Sequence, residues 1–130
     1  MNSDASYDKI KHLVDIDEDI LAVFTIDSKR LMENITIDKK FHNENNIIEI
    51  IFNFLKNQPQ EEPLIDNANT NILGQLKWKI LEFEQIRILQ ISEKDRIVVV
   101  LIKSNTSLDE TVDNILGYYF EEETIPKSLF

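Results

Sequence analysis

The chain has 130 residues, with 14 Lys and Arg against 24 Asp and Glu, a formal charge of −10 and no cysteine. That length suits one domain able to bury about two thirds of its unfolded surface. A 42% hydrophobic content with two Gly and three Pro excludes a disordered or low-complexity chain. The missing cysteines exclude a disulfide framework, a thiolate metal site and a cysteine nucleophile. The acidic balance argues against nucleic acid as a partner, because phosphate contacts need clustered Lys and Arg.

Residues 1–8 are polar and acidic rather than basic and then apolar, so they do not look like a secretory signal. The longest apolar run, residues 97–102, is far short of the roughly 18–20 residues that cross a bilayer. A soluble cytoplasmic protein without membrane insertion is the expectation.

In chain order, Tyr7, Ile10, Leu13 and Val14 recur at helical spacing behind Ser3 or Asp4 as a cap, which predicts a short amphipathic helix over residues 4–14. Residues 20–26 (ILAVFTI) are apolar on both alternating faces and predict an interior strand. Asp27-Ser28-Lys29-Arg30 is a turn, and residues 31–37 return as the hairpin partner. A second helix begins at Asn43 or Glu44. Its stripe of Ile47, Ile48, Ile51, Phe52 and Leu55, widened by Ile50 and Phe54, is broader than one buried face requires.

Residues 57–71 hold two of the three prolines and many polar side chains, the composition of a long loop. After Gly74, Leu76, Trp78 and Ile80 alternate with Gln75, Lys77 and Lys79, a strand with two unlike faces. Glu84-Gln85 turns, residues 86–91 form a strand, Glu93-Lys94-Asp95 turns again, and residues 96–102 (RIVVVLI) form the most buried strand. Ser107 with Glu110 is a capping box. It opens a helix whose Leu108, Val112, Ile115, Leu116 and Tyr119 face the sheet, and residues 121–130 are an acidic tail.

The two strands without a polar face belong side by side in mid-sheet. The expected fold is α+β, a single five-stranded antiparallel sheet of order 2-1-5-4-3 with three helices (α-β-β-α-β-β-β-α). One domain over residues 1–120 and the tail account for the whole chain, without internal repeats.

This arrangement over residues 5–119 resembles the roadblock and dynein-light-chain domain, within the wider profilin-like architecture. The stretches Leu73-Gly74-Gln75-Leu76-Lys77-Trp78, Phe83-Glu84-Gln85-Ile86-Arg87-Ile88 and Asp95-Arg96-Ile97-Val98-Val99-Val100 locally resemble a group of small uncharacterised archaeal proteins. The roadblock resemblance implies a non-catalytic homodimer or heterodimer that binds small Ras-like GTPases or scaffolds larger complexes. It also implies a dimer contact through the second helix and third strand, which here means Ile47, Ile50, Ile51, Phe54 and Leu55 with Leu76, Trp78 and Ile80. The 57–71 loop is longer than that family's connection.

Catalytic chemistry finds little support. His12 and His42 stand outside any H-x-x-x-H or H-E-x-x-H spacing and read as surface residues. The run Asp15, Asp17, Glu18 and Asp19 lacks the glycine and distal Glu of a calcium loop. Gly74 and Gly117, the two glycines, build neither a phosphate cradle nor a dinucleotide turn, and no serine lies in a G-x-S-x-G elbow. The chain is therefore expected to be no enzyme and to use no cofactor or metal.

Residues 74–103 carry six basic side chains against four acidic, so acidity concentrates elsewhere. Lys77, Lys79 and Arg87 are expected on one outer face, as an anion or acidic-partner contact beside ordinary solvation. Trp78 reads equally as core or as interface anchor. A dimeric interaction module regulating a GTPase is the leading expectation. Its rival is a profilin- or PAS-like domain sensing a small ligand in an apolar pocket lidded by residues 57–71.

Overall fold

The computed structural model describes residues 8–39, 41, 46–57, 74–104 and 108–120. Residues 8–12 form helix α1, which tightens into a 3₁₀ turn at Leu13–Asp15. Strands β1 (Ile20–Asp27) and β2 (Met32–Ile37) follow, then helix α2 (Ile47–Lys56). Strands β3 (Trp78–Glu82), β4 (Ile86–Ser92) and β5 (Arg96–Lys103) precede helix α3 (Leu108–Tyr119). All pairings are antiparallel and the order is β2-β1-β5-β4-β3, as the apolar patterning requires. The start of the first helix at residues 4–7, the second helix start at 43 or 44, His42, Ser107, residues 58–71 of the loop and the tail all lie outside the described residues.

The sheet is covered on both faces. Alternation along the central strands sends one set of side chains to each side. Ile20, Val23, Val98, Val100, Ile102, Leu89 and Ile91 pack with Ile10, Leu13 and Val14 from the α1 region and Ile115 from α3. Ala22, Phe24, Ile26, Ile88, Val99 and Leu101 pack beneath Ile48, Ile51 and Leu55 of α2. In β1 and β5 even the outward-alternating positions are buried, which is why both strands lack a polar side.

Two irregularities shape β1 and its partner. The register slips between Ile20 and Ala22 against β5, which brings Leu21 as well as Ala22 to the α2 side. A second slip leaves two residues of β2, Asn34 and Ile35, opposite Phe24 alone, with Asn34 at φ 56. This is a β-bulge with its extra residue in the left-handed region. The bulge satisfies a buried hydroxyl: Thr25, fully buried, donates to the Glu33 carbonyl at 3.1 Å and accepts from Asn34 Nδ2 at 3.1 Å.

The β1–β2 connection is the turn expected at residues 27–30. Asp27 Oδ1 accepts the backbone N–H groups of Lys29 and Leu31, both at 2.9 Å, the side-chain-closed turn that Asp favours. Two sequence expectations shift. β3 begins at Trp78, so Leu76 precedes the strand instead of alternating within it. In α3 the buried stripe is Thr111, Val112 and Ile115, while Leu108 in the first turn remains 37% exposed.

Candidate functional site

α2 carries two apolar flanks because its sequence, IIEIIFNFLK, spreads hydrophobic residues over more than the stripe that a sheet can cover. Ile48, Ile51 and Leu55 are buried, and Ile47 and Phe52 are half-buried against the same core. Ile50 (59% exposed) and Phe54 (43%) face outward. Phe54 is not isolated, since its ring meets Phe83 in the β3–β4 turn edge-on, with centroids 5.8 Å apart and planes at 82°. Phe83 is itself exposed. The outward flank of α2 therefore leans toward β3, the last strand of the sheet, whose other side pairs with nothing among the described residues.

The structure divides the expected interface residues among several environments. Trp78 and Ile80 pair with Ile91 and Leu89, residues of the core beneath α1 and α3, and so project to the face opposite α2. Ile80 is half-buried there and Trp78 is 38% exposed. Leu76 is exposed and lies with Leu55 along a cleft beyond the C-terminal end of α2. Ile50 and Phe54 thus stand on one side of the β3 edge and Trp78 on the other.

Lys77, Lys79 and Arg87 do not share one face, which corrects the sequence expectation. Lys79 pairs with Gln90 on the α2 side, whereas Arg87, opposite Ile102, belongs to the α1 and α3 side. The pleat separates them because one lies an odd number of ladder positions from the other's partner. Arg87 is buried and its Nε donates to Glu82 at 2.5 Å. Lys77 places its ammonium over the Phe120 ring, 5.8 Å from the centroid.

The acidic run serves the local chain. Asp17 accepts the Asp19 backbone N–H at 2.9 Å and the Asn114 side-chain amide of α3 at 3.1 Å. His12 is exposed and its Nδ1 lies 2.8 Å from the Asp8 carbonyl. Among the described residues no three His, Asp or Glu side chains gather as a metal set, and no helix is long and apolar enough to cross a membrane.

The cleft beyond α2 has a volume of about 470 Å³. It runs between the β1–β2 turn, the end of α2, the approach to β3 and the β4–β5 turn. Two of its features were not anticipated: Gln90, a polar residue within the otherwise apolar run Ile88-Leu89-Gln90-Ile91, and the grouping of Arg30, Lys56 and Arg96 around it. The first was readable as a break in the apolar run of β4. The second was not, because those cations are separated by 26 and 40 positions.

The molecule is thus an α+β domain with a roadblock-like order of elements, helices on both faces of one sheet and an exposed apolar flank on α2. Among solved structures it is similar to the crystal structure of MglC from Myxococcus xanthus, at a TM-score of 0.61 and 12% identity, over 88% of this chain and 93% of that one. It is also similar to the gliding protein MglB from Thermus thermophilus, at a TM-score of 0.61 and 7% identity, over 90% of this chain and 84% of that one. Identities this low make the likeness one of fold. No family model matches the sequence, and no curated protein matches it either.

Proposed function

We propose that the chain is a non-catalytic, dimeric interaction module that regulates or scaffolds a protein partner. The observation that carries this reading is the outward flank of α2, where Ile50 and Phe54 with Phe83 make an apolar patch beside the edge of β3 that pairs with nothing among the described residues. Contiguous exposed apolar surface is uncommon on monomeric proteins and marks contact surfaces. An aromatic pair already locked ring against ring loses little further entropy on docking.

A two-fold contact that sets α2 and β3 of one protomer against those of a second copy uses both features at once. It covers the apolar flank and brings the two open strand edges together. Ile50, Phe54 and Phe83 form its centre, with Trp78 contributing from the far side of the β3 edge. Ile47, Ile51 and Leu55 support it from beneath. The partner class that the roadblock-like fold suggests is a small Ras-like GTPase, and the likeness to MglC and to the gliding protein MglB supports that fold. The cell interior is the compartment such a partner implies.

Light scattering over a concentration series tests the dimer. The wild-type chain is expected at twice its 15.3 kDa mass. Phe54→Glu is expected to be a folded monomer, because a carboxylate in the apolar centre of the contact loses its water without a counter-charge. A wild type that stays monomeric at every concentration, or a Phe54→Glu variant that stays dimeric, overturns the assignment.

A further inference from the structure

One residue of the β1–β2 turn sits in a backbone conformation that side chains with a Cβ rarely adopt. Arg30 has φ 66, in the left-handed region, where residues other than Gly, Asn or Asp are strained. The turn imposes it. Arg30 N–H donates to the Asp27 carbonyl at 2.9 Å, Asp27 N–H donates to the Leu31 carbonyl at 3.0 Å, and Asp27 Oδ1 accepts from the backbone of Lys29 and Leu31. Asp27 also ends β1, opposite Arg96 of β5, so the turn is fixed to the centre of the sheet. Glycine meets that backbone without strain, and an arginine in its place points to a use of the side chain.

That side chain reaches another element. Arg30 Nη1 donates to the Lys56 carbonyl at 2.6 Å, across 26 positions of sequence. Lys56 is the last residue of α2, and its carbonyl is one of the final four that a helix leaves without an internal donor. A cation there also meets the negative end of the helix dipole. The ammonium of Lys56 itself lies over the Phe52 ring, 5.6 Å from the centroid, so the guanidinium is the cation at that carbonyl. The turn of α2 that Arg30 holds is the turn that carries Phe54, which is 43% exposed and rests edge-on against Phe83. Helix ends fray where their carbonyls are not held, and a side chain on a fraying turn must be ordered when it docks.

We propose that Arg30 is a positioning residue for the contact made by α2: its guanidinium latches the last turn of the helix to the sheet and so orders Phe54 in advance of docking. The proposal rests on the dimeric reading above. It makes the strength of that contact depend on a charged residue of the β1–β2 turn, outside the apolar patch. Pre-ordering acts on affinity by removing a cost of binding, without adding a bond across the interface.

Two measurements on the full chain separate the latch from the dimer. Arg30→Asn tolerates the left-handed backbone but is too short to reach Lys56, whereas Arg30→Lys keeps the charge and a donor. Hydrogen exchange of the amides of residues 54–57 reads the latch in the Ile50→Glu background, which removes an apolar side chain from the contact. Arg30→Asn is expected to speed exchange there about tenfold while residues 98–101 of β5 stay unchanged. Analytical ultracentrifugation without the Ile50 change reads docking: Arg30→Asn is expected to weaken the dimer about tenfold, and Arg30→Lys by no more than about threefold. Unchanged exchange at residues 54–57 overturns the latch. Faster exchange with an unchanged dimer constant overturns the positioning role, and so does an Arg30→Lys dimer as weak as that of Arg30→Asn. A wild-type chain that is monomeric at every concentration brings down the dimeric reading and the positioning role with it, and the exchange of residues 54–57 then still decides whether the latch exists.

Discussion

Asn34 performs two tasks with one short side chain. Its backbone takes φ 56 to accommodate the bulge, and its amide donates to the buried Thr25 hydroxyl. Asn tolerates the left-handed region better than most residues with a Cβ. Asn34→Ala is therefore expected to lose about 1–2 kcal/mol in urea unfolding, part from backbone strain and part from the lost bond. Asn34→Gly relieves the strain alone and is expected to lose less. Equal losses in both variants would place the whole cost in the hydrogen bond. None of this was legible beforehand: M-E-N-I-T-I reads as a plain alternating strand, because a bulge is defined by the partner strand's register and not by the bulged sequence. Gln90 is the reverse case. Its polarity inside an apolar run was visible, and only the structure shows that its Nε2 is buried without an acceptor among the described residues.

The elements themselves were the most legible level. β1 and β5 declare their central place through side chains that are apolar on both faces, since a strand sandwiched between helices has no wet side. The β3 boundary was less legible, because Leu76 continues the alternation into residues that do not join the ladder. α2 shows how far periodicity carries: it set Ile50 and Phe54 outside the stripe that holds Ile51 and Leu55, and the helix buries the second pair while exposing the first. That division can be measured. Ile51 lies at 9% exposure against the sheet, so Ile51→Glu is expected to cost about 4 kcal/mol or more, enough to unfold a marginally stable domain. Ile50, 59% exposed, should accept Glu with a change of about 0.5 kcal/mol in monomer stability. Circular dichroism melts of the two variants, each on the Phe54→Glu background to hold assembly constant, make the comparison. Similar melts would mean that α2 is rotated from the orientation described.

At the scale of the whole molecule, two copies of a chain of formal charge −10 must approach one another for the proposed dimer to form. The contact itself is close to neutral: α2 carries one acidic and one basic residue, Glu49 and Lys56, and the patch formed by Ile50, Phe54 and Phe83 is apolar. Repulsion therefore acts over distance while attraction acts at contact. Salt screens the first, with a Debye length falling from about 10 Å at 0.1 M to about 3 Å at 1 M, and leaves the second largely intact. The dimer dissociation constant is accordingly expected to fall as NaCl rises across that range, and the apparent Tm to rise with protein concentration, because assembly stabilises the folded state by mass action. Analytical ultracentrifugation across a salt series measures the constant directly. A dimer that instead weakens with salt would be held by ion pairs across the contact, and that outcome would move the interface away from the α2 flank toward the basic residues between 74 and 103.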